Sequence, residues 1–197
     1  STGCSSIDRN YLLDANPDPG YVSVVQAATS DSETYFNILR GSQAKYKYSI
    51  ELNNEKVGEI KHYKTIQGRK DLLWYIDKIH ASGLRPNITY KLIISGKNNS
   101  VVETRLFKTL NLDKKNVQFV VGSCLSDDHR FKHIRGRIWQ QVADLKPDLI
   151  LLIGDNVYVD NKSFVNRKNV TSRDIWQRYI DSFRSIPIYQ ERYLIPI

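Results

Sequence analysis

Three side chains that can bind metal ions follow two apolar segments of this sequence. Asp155 and Tyr158 come after the apolar run LILLIG, and Cys124 follows the segment VQFVVGS. A carboxylate can bridge two cations, a thiolate suits softer or borderline metals, and a phenolate suits a hard ferric ion. Simpler interpretations stand beside this one, because Gly and Asp are common in turns and a single cysteine after a strand is usually a small buried hydrophobe.

The segments that carry these residues are predicted to be two parallel strands joined by a helix. An apolar stripe of helical spacing lies between them, formed by Ile134, Ile138, Val142 and Leu145 with Trp139 beside it. Pro147 ends the helix, because its ring cannot continue the hydrogen-bond ladder. Strand, helix and strand with short joins predict a right-handed crossover whose strands are buried on both faces. Since parallel strands deliver their carboxyl ends to one rim of a sheet, we expect Cys124 and Asp155 to lie side by side.

Such a rim could hold a pair of metal ions. Two cations ~3.5–4 Å apart can activate a water molecule and neutralise a phosphoryl group during in-line displacement. Asp155 could bridge the cations, with Tyr158 bending back to the same metal and Cys124 completing that side. Asn156 and Asp160 could support the ligands through hydrogen bonds. His129 and His133 could also reach a metal or a phosphate, but a solvated start of the helix is the favoured interpretation for that pair.

Residues 20–112 are predicted to form an all-β sandwich similar to immunoglobulin or fibronectin type III domains. About seven short runs alternate between apolar and polar residues, with turn residues between them. The clearest run is KYKYSIEL, which places Tyr46, Tyr48, Ile50 and Leu52 on one face. Leu84, Pro86 and Tyr90 have the spacing of a tyrosine corner, in which the Tyr90 hydroxyl caps the chain. We interpret these aromatic residues as core and not as a ligand site.

The predicted organisation has three parts. Residues 1–19 form a terminus or tether, the sandwich follows, and residues 113–197 begin a second domain after the polar connector NLDKKN. Near its end, Thr171 and Asp174 are spaced as a capping box. The helix that this box opens has an apolar stripe formed by Ile175, Tyr179, Phe183 and Ile186.

Two motifs of the second domain resemble a known enzyme family. FVVGSCLSDD followed by IWQQVADLKPDLILLIGDNVYVD resembles the metallophosphatases of the alkaline phosphatase D family, which pair a Gly-Ser-Cys strand end with a downstream Gly-Asp-x-x-Tyr. The stretch DIWQRYIDSFRSIPIYQERYLIPI is similar to the family's segment after that motif. The resemblance covers residues 21–197 and implies a β-sandwich followed by the first part of an α/β metallophosphoesterase domain.

The resemblance implies a chemistry for the three side chains. Cys124, Asp155 and Tyr158 match metal ligands of a binuclear centre, and Asp155 is also the implied catalytic residue. Iron is the favoured metal, with calcium or another divalent cation as its partner. The implied activity is hydrolysis of phosphomonoesters or phosphodiesters, so a phosphate ester is the expected substrate. Nucleic acid is not expected as a partner other than as a substrate.

The sequence departs from the family pattern in its histidines. In the family an Asp-Asp-His stretch comes shortly after the region where this sequence stops, and histidine-bearing loops come later. The four histidines here, at positions 62, 80, 129 and 133, lie upstream of that point. We therefore expect the 197 residues to be the amino-terminal portion of a longer enzyme, inactive unless the remaining carboxyl-terminal part associates with them.

Composition limits the other possibilities. The chain has 41% hydrophobic and 25% charged residues, and its formal net charge of +8 is spread along the sequence, which favours anionic partners. The opening STGCSS resembles the end of a bacterial lipoprotein signal, which implies an exported protein with a lipid tether at Cys4. The alternative function is a noncatalytic exported surface protein whose sandwich binds a partner. A nucleic-acid-binding module is disfavoured, since no helix-turn-helix, zinc or aromatic-platform signature is visible.

Overall fold

A computed structural model describes residues 20–41, 45–68, 74–125, 132–158, 170–185, 187–189 and 191–197. These residues contain ten strands: β1 (Val22–Thr29), β2 (Thr34–Arg40), β3 (Lys47–Leu52), β4 (Glu55–Lys56), β5 (Glu59–Gln67), β6 (Tyr75–Ser82), β7 (Thr89–Ser95), β8 (Val101–Lys108), β9 (Phe119–Gly122) and β10 (Leu149–Leu152). They also contain two α-helices, α1 (Lys132–Leu145) and α2 (Ser172–Ser185), and two short 3-10 turns, Lys97–Asn99 and Pro187–Tyr189.

The first eight strands form two antiparallel sheets that pack against each other. One has the order β1-β2-β6-β5 and the other the order β4-β3-β7-β8. Both sheets contribute to one buried core, in which the largest fully buried side chains are Phe36, Ile38, Ile50, Ile79, Leu92, Ile94 and Phe107. The predicted β-sandwich is confirmed, and the strand order agrees with the sheets of a constant-type immunoglobulin domain plus the short edge strand β4.

Local sequence explains the strand boundaries in this sandwich. In β3 the alternation holds as predicted, because Ile50 is buried while Tyr48 and Leu52 pack on the same core. The run KVGEIKHY is divided between β4 and β5 at Gly58. That glycine has φ +63°, and a Cβ there would lie 2.8 Å from the Ser82 carbonyl oxygen. Only glycine fits this turn without strain, so the chain changes sheets at this position.

The tyrosine corner is also present. The hydroxyl of Tyr90 accepts a hydrogen bond of 2.8 Å from the backbone N–H of Arg85. The Tyr90 side chain is buried, and Leu92 and Ile94 continue the inward face of β7 as predicted. A buried phenol needs such a partner, because a polar group that leaves water without one costs free energy.

Strands β9 and β10 form a separate parallel pair joined through α1. Their register pairs Phe119 with Leu149 and Gly122 with Leu152. Helix α1 covers one face of this pair through Trp139 and Val142, which pack with Ile150. The predicted stripe of α1 was therefore wrong in part: Ile138 and Leu145 are 53% and 55% exposed, whereas Trp139 is 5% exposed. The indole of Trp139 fills the contact between the helix and the sheet. A sheet of two strands is too narrow to cover the helix on both sides of this contact, so Ile138 and Leu145 stay exposed.

Helix α2 begins as the sequence predicted, but its predicted stripe is confirmed only in part, at Phe183, which packs against two buried clusters. The backbone N–H of Thr171 donates to the Asp174 carboxylate at 2.9 Å, and the Asp174 N–H donates to the Thr171 hydroxyl at 3.3 Å, which completes the capping box. Ile180 is buried against Leu39 and Trp74 of the sandwich. The predicted positions Ile175 and Tyr179 are 41% and 43% exposed, and Ile186 lies outside the described residues.

Residues 192–197 connect the sandwich with the parallel pair. Leu106 of β8 donates its N–H to the Arg192 carbonyl, and Leu194 donates to the Leu106 carbonyl, both at 2.7 Å. The Ile150 N–H of β10 donates to the Pro196 carbonyl at 2.8 Å, and the Ile197 N–H donates to the Gln26 carbonyl of β1 at 2.9 Å. The segment thus satisfies backbone groups on three strands that each lie at the edge of a sheet.

Side chains also cross between the two predicted domains. Leu194 is part of the sandwich core, and the Tyr21 hydroxyl donates to the Phe183 carbonyl at 3.2 Å. The division at residues 111–116 stays a prediction. Cys4 and the rest of residues 1–19 lie outside the described part, so the proposed tether stays a prediction as well. Within the described residues, neither helix is long and apolar enough to cross a membrane.

Candidate metal centre at the ends of two parallel strands

The loops after β9 and β10 are held together by backbone hydrogen bonds. The N–H of Ile153 donates to the Gly122 carbonyl at 2.9 Å, and the N–H of Cys124 donates to the Gly154 carbonyl at 3.3 Å. Beyond the strands, the N–H of Leu125 donates to the Asp155 carbonyl at 2.9 Å. The parallel ladder therefore continues past the ends of the strands and fixes the two loops side by side.

The three predicted ligands meet at one carboxylate oxygen. Oδ2 of Asp155 lies 3.8 Å from the Cys124 sulfur and 3.2 Å from the Tyr158 hydroxyl oxygen, and both groups donate to it. Cys124 and Asp155 are exposed, and Tyr158 is half-buried. The structure therefore brings the thiol, the carboxyl and the phenol together at an accessible rim, as expected for strands that run parallel.

The backbone at two of these residues is in a conformation that most side chains avoid. Cys124 has φ +54° and Asp155 has φ +47°. The left-handed region is uncommon outside glycine, and aspartate tolerates it better than cysteine does. Gly154, just before Asp155, has φ +151°, which also favours glycine. Strain of this kind costs roughly 1–3 kcal/mol for each residue and is concentrated at functional sites.

The donor atoms have separations that fit a shared cation. Ligands bound at ~2.1 Å for oxygen and ~2.3 Å for sulfur lie roughly 3–3.6 Å apart around one metal, depending on the angle between them. The observed separations of 3.2 Å and 3.8 Å need little adjustment to reach that range. A thiolate and a phenolate together with a carboxylate suit iron better than magnesium, which prefers an all-oxygen shell.

Without a cation, the phenol of Tyr158 keeps its proton. Hydrogen bonding to Cys124, a smaller effect of burial and the hydrogen bond to Asp155 all raise the pKa of Tyr158 above its ordinary value. The anionic neighbour disfavours a second negative charge. Coordination as a phenolate must therefore release this proton, which couples any metal binding at the site to pH.

Two further polar residues, Asn156 and Arg178, belong to or contact the loop that carries Asp155 and Tyr158. Oδ1 of Asn156 is buried and has no hydrogen-bond donor within the described residues, so this acceptor is available to a ligand or a water molecule. Arg178 of α2 is buried and donates its Nε to the Tyr158 carbonyl at 2.9 Å. Arg178 was not predicted from the sequence, because it stands next to the predicted stripe of α2. No local pattern marked this contact, because it joins residues 20 positions apart in the sequence.

Other predicted participants cannot be placed at this rim. Asp160 and His129 lie outside the described residues, and so does the side chain of His133. Among the residues that are described, no group of three or more His, Cys, Asp or Glu side chains is close enough to hold a metal. The candidate centre in the described chain therefore consists of one thiol, one carboxyl and one phenol.

Comparisons of the chain with protein-family models, with curated proteins and with solved structures find no match. The interpretation of this site therefore depends on its geometry and on the chemistry of its side chains.

Proposed function

We propose that this protein contributes to metal-dependent hydrolysis of phosphomonoesters or phosphodiesters at a binuclear centre. The observation that supports the proposal is the convergence of the Cys124 sulfur and the Tyr158 hydroxyl on one oxygen of Asp155. Iron is the proposed metal at these three ligands, with calcium or another divalent cation as its partner. The remaining ligands are proposed to come from outside the described residues, in agreement with an α/β metallophosphoesterase domain.

Each side chain has a defined task in this proposal. Asp155 would supply a carboxylate ligand, since its Oδ2 is the atom on which the other two side chains converge. Cys124 and Tyr158 would bind the metal as thiolate and phenolate, and Arg178 holds the backbone of Tyr158 through a hydrogen bond to its carbonyl. When bound, the metal pair supplies an activated water molecule and neutralises the phosphoryl oxygens. The open rim leaves room for a phosphate ester, because Cys124 and Asp155 are exposed.

Metal binding tests the proposal directly. The purified chain is loaded with ferric iron, and the bound metal is measured by elemental analysis. We expect a visible phenolate-to-iron charge-transfer band that is absent in Tyr158→Phe, together with loss of bound iron in Asp155→Asn. Asp148→Asn is the matched control, since this carboxylate pairs with Lys114 at 2.5 Å and lies in another loop. Undiminished iron in Asp155→Asn, or an unchanged band in Tyr158→Phe, would contradict the proposal.

Hydrolysis provides the second measurement. The metal-loaded protein is assayed in its full-length form, because the remaining ligands are proposed to lie outside the described residues. The substrates are bis(p-nitrophenyl) phosphate and p-nitrophenyl phosphate, which separate diesterase from monoesterase activity. Asp155→Asn is expected to lower the rate by more than the ~10–100-fold that loss of an outer hydrogen-bond partner costs. Full activity in that variant would refute a catalytic role for Asp155.

A second candidate function is a noncatalytic exported binding protein built around the sandwich. It is supported by the composition of the rim. Of the three candidate ligands there, only Cys124 and Asp155 belong to the His, Cys, Asp and Glu types, and the described residues contain no group of three such side chains. This candidate predicts that no phosphate ester is hydrolysed whichever metal is supplied, while the sandwich still folds.

A further inference from the structure

The outer face of the β1-β2-β6-β5 sheet carries lysine and aromatic side chains that the candidate metal centre does not use. In the sheet register, Lys61 of β5 stands opposite His80 of β6, and His80 stands opposite Tyr35 of β2. In a neighbouring row, Lys64 stands opposite Lys78, and Tyr63 lies at the bulge between the two rows. We call these six residues the basic aromatic face: Tyr35, Lys61, Tyr63, Lys64, Lys78 and His80.

These side chains point away from the core. Ile79 and Ala81, which alternate with Lys78 and His80 along β6, are fully buried between the sheets. Because side chains alternate along a strand, Lys78 and His80 lie on the opposite face. Helix α2 covers a different part of this face, where Ile180 packs near Leu39. The basic aromatic face lies beyond that contact.

The three rings form one continuous aromatic group. Tyr35 stacks on His80 with a centroid distance of 4.4 Å and an interplanar angle of 16°. Tyr63 meets Tyr35 edge to face at 6.3 Å and is 47% exposed. Such exposure on a sheet surface leaves the ring of Tyr63 accessible for a flat partner to stack on it.

The three lysines have no acidic partner in the part of the chain that the structure describes. The ion pairs formed there involve other residues, and Glu33, next to β2, pairs with His80 at 2.9 Å. Glu59, at the start of β5, bounds the face on one end. The lysine ammonium groups are therefore available to an external anion.

Protection of a sheet edge explains only some of these lysines. Strand β5 is at the edge, so Lys61 and Lys64 could serve to prevent pairing with another chain. Lys78 is on β6, which has a strand on each side, and it stands directly opposite Lys64. Like charges at opposed positions destabilise a sheet. Lys78 therefore carries a cost in stability although its own strand has no edge to protect, which indicates a role in binding.

We propose that the basic aromatic face binds a single-stranded polynucleotide. Proteins that bind single strands combine positive side chains along the phosphates with aromatic rings on which bases stack. A base-free polyanion or an acidic peptide would use the lysines but leave the exposed ring without a partner. The net charge of +8 favours approach of such a ligand. This partner was not expected from the sequence, because the six residues come from three separate strands and meet only in the folded sheet.

The test is fluorescence anisotropy of a labelled oligothymidylate of about 16 nucleotides. A chelator is present, so that the candidate metal centre cannot degrade the probe. Combined replacement of Lys61, Lys64 and Lys78 by Gln is expected to raise Kd at least tenfold. It should also reduce the slope of log K against log salt by about 2, at ~0.7 for each phosphate that a lysine no longer neutralises. The matched control replaces the exposed Lys56, Lys97 and Lys115 by Gln and should change Kd less than twofold.

Single variants separate stacking from charge. Tyr63→Ala should weaken binding by about fivefold or more, whereas Tyr63→Phe, which keeps the ring, should bind as the parent does. Lys78→Glu should raise the thermal midpoint, because it faces Lys64, and yet weaken binding. This combination excludes misfolding as the cause.

Three results would overturn the proposal. The first is no binding at low salt. The second is an equal loss of affinity in the control triple variant, which would mean that the oligonucleotide is attracted by the positive charge of the whole surface and not by this face. The third is competition by inorganic polyphosphate at equal charge together with no effect of Tyr63→Ala, which would mean that the face binds polyanions through charge alone.

Discussion

The carboxylate oxygen Oδ2 of Asp155 lies 3.8 Å from the sulfur of Cys124, although 31 positions separate these residues in the sequence. Their backbones are joined as well, because the Cys124 N–H donates to the carbonyl of Gly154. The contact is a direct result of two parallel strands ending at the same rim. It makes the chemistry of each residue dependent on the other, since the thiol donates its hydrogen bond to the carboxylate.

Metal binding at this rim should strengthen as pH rises. The pKa of Tyr158 is raised in the absence of metal, so the phenol is neutral near pH 7 and must lose its proton to bind as phenolate. We expect the apparent iron affinity of the parent protein to increase with pH more steeply than that of Tyr158→Phe, by about one proton. Titrations followed by elemental analysis across a pH series measure both slopes. Identical slopes would show that Tyr158 does not coordinate as phenolate.

Asp77 is expected to be the most sensitive charged position in the sandwich. It is 1% exposed and accepts hydrogen bonds from Arg40 at 2.6 Å, from Thr65 at 2.7 Å and from Tyr48. Asp77→Asn should lower the free energy of unfolding by about 3–5 kcal/mol, because it leaves the Arg40 charge buried without its counterion. Denaturant unfolding measures this loss. Glu51→Gln is the control, since the partly exposed Glu51–Lys91 pair should contribute about 0–1 kcal/mol.

The same carboxylate should make the sandwich sensitive to acid. Burial alone would raise the pKa of Asp77, but the hydrogen bonds from Arg40, Tyr48 and Thr65 outweigh burial and lower the pKa below 3.8. When a carboxyl has a lower pKa in the folded protein than in the unfolded chain, its ionised form stabilises the fold. This stabilisation is complete above the pKa of the unfolded chain and is lost as the pH falls through the pKa of the folded protein. Unfolding curves below about pH 4 should therefore converge for the parent and Asp77→Asn. A constant difference down to the lowest pH would contradict this mechanism.

The tyrosine corner should contribute through one hydrogen bond. Tyr90→Phe removes the acceptor for the Arg85 N–H and leaves the ring in place. We expect a loss of about 1–3 kcal/mol in the free energy of unfolding and faster hydrogen exchange at the Arg85 amide. Tyr63→Phe, on the exposed face, is the control and should change stability by less than ~0.5 kcal/mol.

Helix α1 offers a test of which side faces the core. Trp139→Ala should destabilise by about 3–5 kcal/mol, because the buried indole leaves a cavity next to Ile150. Ile138→Ala, one position earlier, removes an exposed side chain and should remain within ~0.5 kcal/mol of the parent. Chemical denaturation measures both losses. If Ile138→Ala were the more destabilising of the two variants, the apolar stripe predicted from the sequence would be correct.

The sequence predicted correctly those parts of the fold that depend on a regular residue spacing or on the parallel direction of two strands. The alternation in β3 placed Ile50 in the core, and the spacing before Tyr90 identified the corner. Parallel strands brought Cys124 next to Asp155. In each instance a local rule left one possible geometry.

The errors have a common physical cause. Both helices have apolar residues on more than one side, so periodicity alone could not decide which side is covered. In α2 the neighbouring sandwich took Ile180 and left Tyr179 exposed. The basic aromatic face and the contact of Arg178 with the loop of Tyr158 join residues from distant segments, and no local pattern reports such pairs.

The segment 192–197 has a mechanical consequence. Its backbone hydrogen-bonds to β1, β8 and β10, and Leu194 is inserted among the sandwich side chains. Force applied to the carboxyl end would therefore pull on all three strand edges before either half could separate. Under tension, and on heating, the sandwich and the parallel pair should rupture in one cooperative event.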